Sequence, residues 1–450
     1  MNVFPDDFLW GVSTSAYQIE GASAAGGKGE SIWDRFVRRP GAIVDGSTGD
    51  VATDHLARYQ EDVELLRRLG ARVYRFSVSW PRWFPTGRGR GAPAGAAFYD
   101  RLVDELLEAG IEPWVCLYHW DLPQALQDLG GWGQRDCAHY FADYAGAVAR
   151  RLGDRVRTFF MLNEPNAHAL LGHLVGMHAP GASDLATYLA AVHHQNLAVG
   201  LGVARLRTEE VGLRLGTIVQ LQPVEAPHGP GGPREEDVAA AGLADAAYNR
   251  CSLDPLLLGR YPESVAGFFE PVARSGDDAL IQQPIDVLGV NHYTLERVRA
   301  GGGPLGLEIV PPGPGEEVTL SGWRVAPHAL ERVLLDLRDS YGNPTVVITE
   351  NGAAFGAAHA AGAAGSGAAD RRRIDYFSRY LRAVADAIAA GCDVRGYLAW
   401  TLVDNFEWAD GYTRPFGVVA LDRATLHRTP KASFAYLRRV FGGGGLEPVD

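Results

Sequence analysis

The stretch Thr345-Val346-Val347-Ile348-Thr349-Glu350-Asn351-Gly352 sets an apolar, β-branched run directly before a carboxylate. Val and Ile favour an extended, half-buried strand, and Asn-Gly favours a tight turn. Glu350 is therefore expected at the C-terminal mouth of a buried strand, with the chain turning straight after it. A second stretch has the same form: Thr158-Phe159-Phe160-Met161-Leu162-Asn163-Glu164-Pro165. Pro165 disfavours the α region for the residue before it, so Glu164 is expected to stay extended at its strand end.

Working outward, strand-like apolar runs alternate with helical runs along the whole chain. They are Phe8–Ser13, Val73–Ser79, Pro113–Tyr118, Thr158–Asn163, Arg214–Leu221, Ile285–Asn291, Thr345–Glu350 and Val394–Thr401. Between them, Tyr59, Val63, Leu66 and Leu69 recur at helical spacing up to Gly70, and Tyr376, Tyr380, Leu381, Val384 and Ile388 do so up to Gly391. Eight strand–helix units imply an α/β fold, a single TIM (β/α)8 barrel with extended βα loops. An open doubly wound sheet would want a Gly-rich phosphate loop. Gly200-Leu201-Gly202 lies inside a helical pattern and has Arg205 at the third glycine position. The barrel is expected to span residues 1–441 as one domain, with 442–450 a disordered tail. Pro85–Pro93, Gly301–Gly322 and Ala353–Ala369 read as long loops without regular structure.

Bulk properties narrow the function classes. The chain has 450 residues, 46% of them hydrophobic, and a formal net charge of -12. Such a balance disfavours nucleic acid or an anionic membrane as partner. Lys28 and Lys431 are the only lysines, so 40 of the 42 basic residues are arginine. With the abundance of Ala and Gly, this reads as genomic GC bias. Cys116, Cys137, Cys251 and Cys392 are widely spaced, which fits a reduced, cytoplasmic setting. The N-terminal segment lacks the basic-then-apolar pattern of a secretory signal, and no apolar run approaches the ~20 residues of a membrane span. His193-His194 has no third ligand nearby and reads as helix surface rather than a metal site.

In a barrel of this kind the C-terminal rim holds the site. Arg75, His119, Asn163, Glu164, Asn291, Tyr293, Glu350 and Trp400 all fall at or just past strand ends. Two carboxylates at two strand ends are what double-displacement cleavage of a glycosidic bond needs, one to attack the sugar and one to protonate the leaving oxygen. A lone strand-end Glu would be an ordinary solvated carboxylate. Two in matching motifs argue against that.

From Phe8 to about Phe441 the chain resembles a glycoside hydrolase family 1 β-glycosidase of the β-glucosidase type. The resemblance rests on Phe8-Leu9-Trp10-Gly11, Tyr17-Gln18-Ile19-Glu20-Gly21, Tyr74-Arg75-Phe76-Ser77, Ser79-Trp80-Pro81-Arg82 and Tyr118-His119-Trp120-Asp121-Leu122-Pro123. It continues through Asn163-Glu164-Pro165, Asn291-His292-Tyr293-Thr294, Thr349-Glu350-Asn351-Gly352 and Asp404-Asn405-Phe406-Glu407-Trp408. It implies Glu164 as acid/base and Glu350 as nucleophile, supported by Arg75, Asn291 and Tyr293. Arg75 and Tyr293 beside Glu350 are expected to lower its pKa, and the Glu350 charge to raise that of Glu164.

The resemblance further implies sugar contacts from Gln18, His119, Trp120, Asn163, Glu407, Trp408 and Phe416, with Trp400 as an apolar floor. Trp10 and Trp80 read as packing. Members that take 6-phosphorylated sugars carry Ser at the position of Glu407, with Lys and Tyr nearby. Here Glu407 and the absence of Lys from the Trp408–Thr413 segment after it favour unphosphorylated glucosides, with galactosides and fucosides as side substrates. No metal and no cofactor is implied; the partner is a small-molecule β-glycoside. A transglycosylase using the same intermediate and an inactive glycan-binding homologue are the rival readings. Departures from the family pattern are Asn166, Cys251, Ser252, Thr401 and Ala420. They bear on helix packing and leaving-group preference rather than on the reaction.

Overall fold

A computed structural model describes residues 3–209, 212–229, 231–356 and 367–447. Eight strands form a closed barrel: β1 (Leu9–Ser13), β2 (Val73–Ser77), β3 (Glu112–Tyr118), β4 (Thr158–Asn163), β5 (Arg214–Gln220), β6 (Val287–Asn291), β7 (Val346–Asn351) and β8 (Val394–Trp400). They follow chain order around the barrel, every pairing is parallel, and β8 closes against β1. Each expected run is a barrel strand, because continuous apolar sequence is what a strand covered on both faces requires.

A helix follows each strand: α1 (His55–Leu69), α2 (Pro93–Glu108), α3 (Asp136–Leu152), α4 (Leu185–Glu209), α5 (Cys251–Leu258), α6 (Pro327–Ser340), α7 (Gly367–Ala389) and α8 (Ala432–Phe441). α1 buries Val63, Leu66 and Leu69, and Gly70 ends it in the left-handed region, its N–H closing onto Arg67 and Leu66 carbonyls. The buried faces of these helices share one core with outward strand residues such as Tyr74, Val115 and Phe159. Each fully buried Leu or Phe there contributes roughly 1.5–3 kcal/mol. Gly200 and Gly202 serve this packing: a Cβ at the first would collide with Leu280 O, and one at the second would sit 2.8 Å from Met161 Sδ.

The lumen is plugged by Val73, Trp114, Cys116, Phe160, Ile218, Val287, Val347 and Leu398, a cluster separate from the outer core. Side chains alternate along a strand, so Arg75 and Trp400, two residues beyond Val73 and Leu398, face the same lumen nearer its C-terminal mouth. β4 and β7 break strict alternation. Register shifts fall between Phe160 and Asn163 in the β4–β5 pairing and between Ile348 and Glu350 in the β6–β7 pairing. Such irregularities re-aim side chains, and each lies just before a carboxylate.

Several expectations are corrected. Asn351-Gly352 is not a tight turn. Asn351 is the last residue of β7, its Nδ2 donating to His292 O at 2.6 Å and its Oδ1 accepting from Tyr397 OH at 2.7 Å. Gly352 is required by close approach instead, since a Cβ there would collide with Trp400 O. His193 and His194 are buried rather than on a helix surface. His193 bonds Asp277 Oδ2 at 2.8 Å and Tyr261 OH at 3.0 Å, and His194 bonds Trp132 O at 2.9 Å. Among the described residues no group of three or more His, Cys, Asp or Glu could hold a metal ion.

The segment 301–322 is not wholly irregular: Leu307–Ile309 pairs antiparallel with Glu296–Ala300. Of Ala353–Ala369, residues 357–366 lie outside the described residues, and α7 begins at Gly367. In the expected tail, residues 442–447 pack back on α8. Leu446 is buried, and its carbonyl accepts from Tyr436 OH at 2.7 Å. Residues 448–450 lie outside the described residues. Among the described residues no helix is long and apolar enough to cross a membrane.

Candidate active site

Glu350 stands at the mouth of β7, only 3% exposed. Arg75 Nη1, from the lumen face of β2, donates to its Oε1 in a buried ion pair. Tyr293, just past β6, donates its hydroxyl to Oε2 at 2.7 Å. Glu164 follows β4 and is likewise buried, at 4%. Its backbone is left-handed (φ 49°, ψ 59°), not extended as expected. Pro165 excludes the right-handed α region for Glu164 but opens a short helix as its first residue, and a left-handed residue is how the chain turns from strand into that helix. A non-glycine residue held there costs about 1–3 kcal/mol, of the kind stored at functional sites.

Asn291 links the two carboxylate strands. Its Nδ2 donates to Glu164 Oε1 at 2.7 Å and to Asn163 Oδ1 at 3.1 Å, while its Oδ1 accepts from Thr349 Oγ1 at 2.7 Å. Asn163 Oδ1 also accepts from Arg75 Nη2, and Asn163 Nδ2 donates to His119 Nε2 at 3.1 Å. Burial, then the Arg75 charge, hold the His119 imidazole well below its ordinary pKa and so neutral. Trp120, itself at φ 75°, donates Nε1–H to Asn163 O at 2.9 Å.

Burial raises the pKa of both carboxyls. For Glu350 the rise is opposed by the Arg75 charge and by hydrogen bonds from Tyr293, Arg75 and Asn291, which leaves it above its ordinary value rather than below it as expected. For Glu164 the Glu350 charge adds to burial, and it is held well above the usual carboxylate range. The order is what matters chemically: Glu350 ionises first, and its charge keeps the proton on Glu164.

The rest of the mouth is half polar and half aromatic. Gln18 Nε2 donates to Glu407 Oε2 and Asn405 Oδ1, both at 3.2 Å, and Gln18 Oε1 accepts from Ser15 Oγ at 2.6 Å. Burial, with Asp410 and Glu350 nearby, pushes the Glu407 carboxyl up to about 8. Trp400, Tyr293, Phe416 and Ala354 form an apolar wall, with Trp323 packed 5.2 Å from Tyr293 and 6.0 Å from Phe416. Trp408 packs between Trp33 at 4.6 Å and Trp120 at 4.9 Å, with Tyr17 stacked beyond at 6.1 Å. Trp10 and Trp80 pack in the core as expected: Trp80 Nε1 donates to Gly87 O at 3.0 Å, and Trp10 lies against Phe8.

Comparison with known proteins fixes the family. The profile of glycosyl hydrolase family 1 matches residues 1–444. The chain belongs to this family. It is 48% identical to the thermostable beta-glucosidase B of Thermobispora bispora over 98% of this chain and 91% of that protein. It is 42% identical to a bifunctional beta-D-glucosidase/beta-D-fucosidase of Bifidobacterium breve over 97% and 98%. The crystal structure of the psychrophilic beta-glucosidase BglU from Micrococcus antarcticus matches with TM-score 0.91 and 43% identity, covering 98% of both chains.

Within this family-1 frame, two of the departures noted in the sequence, Thr401 and Asn166, hydrogen-bond to the backbone. Thr401, in place of Ser, still donates Oγ1–H to Ser13 O at 2.7 Å and ties β8 to β1. Asn166 donates Nδ2–H to Gln220 O at 2.7 Å. Cys251 and Ser252 are buried in α5. Ala420 lies in the short strand Val419–Leu421, paired with Arg428–Pro430. The residues that the sequence reading missed are Thr349, which orients Asn291, Asn405, which holds Gln18, and Trp323. The first two lay inside quoted motifs. Trp323 stands alone after a Gly-rich loop, where no pattern marks it.

Proposed function

We propose that the protein is a retaining exo-β-glucosidase with Glu350 as nucleophile and Glu164 as acid/base, carried on one catalytic domain over residues 1–441. The observation behind this division is the unequal support of the two carboxyls. Glu350 accepts from a guanidinium and a phenol, while Glu164 accepts from one amide beside a developing anion. In the first step the Glu350 carboxylate attacks the anomeric carbon from the face opposite the aglycone. The C1–O bond to the aglycone breaks, its electron pair passes to the leaving oxygen, and Glu164 supplies the proton. The product is an α-linked glycosyl ester. With Glu350 then neutral, Glu164 is an ordinary base. It takes a proton from water, the water oxygen bonds C1, and the ester C1–O bond breaks to give β-glucose.

Gln18, Glu407, His119 and Asn163 supply the acceptors and donors that sugar hydroxyls need when water is displaced. Asn163 shares Arg75 with Glu350 and Asn291 with Glu164, which suits it to address the 2-hydroxyl. Trp400 offers its face to the sugar's C–H surface. Hydroxyls donating to Glu407 favour its ionised form, whereas a 6-phosphate there would face an anion without a lysine to meet it. Fucoside turnover is expected beside glucoside turnover, as the Bifidobacterium breve relative's name reports for that protein. A cytoplasmic setting is supported by four free cysteines, all buried. Both carboxyls are present and wired into the rim, which disfavours an inactive glycan binder. The test is NMR of the first-formed product from an aryl β-glucoside. β-Glucose is expected; α-glucose would refute double displacement.

A further inference from the structure

In a chain with 40 arginines, both lysines have enclosed side chains. Each side chain is only 4% exposed and pairs with one carboxylate: Lys28 with Asp34 at 2.5 Å and Lys431 with Asp404 at 2.8 Å. Against that composition the two lysines stand out by their chemistry. Arg presents a wide planar fork, whereas Lys presents a compact point charge with three donors on one atom.

Lys431 sits where that difference matters most. Its Nζ donates to Asp404 Oδ1 and to Gly417 O at 2.7 Å. Asp404 Oδ1 also accepts from Gly417 N at 2.8 Å. One ammonium therefore clasps the two ends of the segment 404–417 at their crossing. The crossing is tight, because a Cβ on Gly417 would collide with Asp404 N. The fork-shaped contacts alongside are already taken. Arg373 donates to Pro415 O at 2.6 Å and to Ala353 O at 3.1 Å, and pairs with Asp370 at 2.5 Å. Between the clasped ends the segment carries Asn405, Glu407, Trp408 and Phe416, while the Lys431 hydrogen bonds go to Asp404 and Gly417.

We propose that Lys431 is a positioning residue of the sugar pocket, setting through Asp404 and Gly417 the height at which Glu407 and Trp408 meet the C6 end of the sugar. This rests on the glucosidase reading above, in which Glu407 faces that end. The charge makes no contact with substrate; it fixes the loop that does. A second lysine nitrogen bond to the backbone, rather than a second carboxylate, is what makes the clasp a single point.

The test compares kcat/KM for an aryl β-D-glucoside and the matching aryl 6-deoxy-β-D-glucoside, which lacks only the 6-hydroxyl, in wild type, Lys431→Arg, Lys431→Met and Glu407→Gln. If Lys431 positions Glu407, Lys431→Arg lowers glucoside turnover by roughly 10-fold, the scale of one charge-assisted hydrogen bond. Turnover of the 6-deoxyglucoside falls much less, so the ratio of glucoside to 6-deoxyglucoside turnover drops. In Glu407→Gln the ratio drops as well, and adding Lys431→Arg to it lowers the ratio no further. A ratio equal to wild type in Lys431→Arg, whether both activities hold or fall together, would overturn the proposal and leave Lys431 a merely structural residue. Should either single variant fail to fold, Asp404→Asn/Lys431→Met removes the buried pair together, and an unchanged ratio there has the same meaning. A wild type active on neither glycoside would overturn the glucosidase reading and this proposal with it.

Discussion

At the mouth of β7, Glu350 receives a guanidinium on one oxygen and a phenol on the other; at the end of β4, Glu164 receives a single amide. Both are buried to the same degree. Burial alone would make them chemically alike, two carboxyls reluctant to ionise. The difference lies in what each neighbourhood gives back. Arg75 and Tyr293 return part of the lost hydration to Glu350, and Glu350, once charged, presses the proton onto Glu164. Two strand ends of the same barrel thus acquire opposite protonation states without different side-chain chemistry.

The comparison breaks most severely if Glu350 is removed. Glu350→Gly is expected to lose roughly 10^4-fold or more in kcat, the scale of losing a covalent nucleophile. Azide added to this variant should enter the vacated volume and give an α-glycosyl azide from an activated β-substrate, read by NMR. A β-azide would assign the roles the other way round.

Glu164→Gln attacks the other half. It should cost about 10^2- to 10^4-fold with poor leaving groups, the usual contribution of general acid catalysis. With activated aryl glucosides the loss should be smaller, and the alkaline limb of the pH profile should flatten. An alkaline limb unchanged by this variant would mean that another group is the acid. Stability should move the opposite way. The folded-state pKa of Glu164 lies well above its unfolded value, so its protonated form contributes stability below the unfolded value, and that contribution is lost as pH rises through the folded one. Gln cannot ionise. The Tm of Glu164→Gln relative to wild type should therefore increase from pH 5 to pH 8.

Tyr293→Phe is the gentlest of the three and sharpens the contrast instead of abolishing it. Loss of one hydrogen bond to a charged carboxylate costs about 1.5–3 kcal/mol. Glu350 should then ionise at higher pH, and the acid limb of kcat/KM should shift upward while the alkaline limb stays. A shift of the alkaline limb alone would show that Tyr293 serves Glu164.

The barrel was legible because its strands are covered on both faces. Val346, Val347 and Ile348 cannot be read as an amphipathic helix, and the run ends in Glu350 and Asn351 at the rim. The carboxylate pair was legible for the same reason. The backbone at Glu164 was not, because the pre-proline rule excludes one α region and says nothing of the left-handed one. The rise in the Glu350 pKa was not legible, because the motifs name its partners Arg75 and Tyr293 whereas its burial is a property of the closed mouth. Asn351-Gly352 carries the composition of a turn, yet the glycine answers to Trp400, a contact between β7 and β8 that only the barrel creates. Trp323 comes to the cleft by a loop path with no periodicity.

The burial of both lysines has a chemical consequence for an enzyme that releases glucose. The open-chain aldehyde of a reducing sugar condenses with primary amines, and in proteins the side-chain primary amine is lysine's alone. An arginine guanidinium stays protonated under all working conditions and is no comparable nucleophile. Burial brings the Lys431 ammonium down to about 8, so a share of it is the reactive free amine near neutral pH. Yet its side chain and that of Lys28 are only 4% open to solvent. The folded protein thus offers its own product almost no lysine to modify, and Schiff-base adducts at these two positions become a marker of unfolding rather than of age.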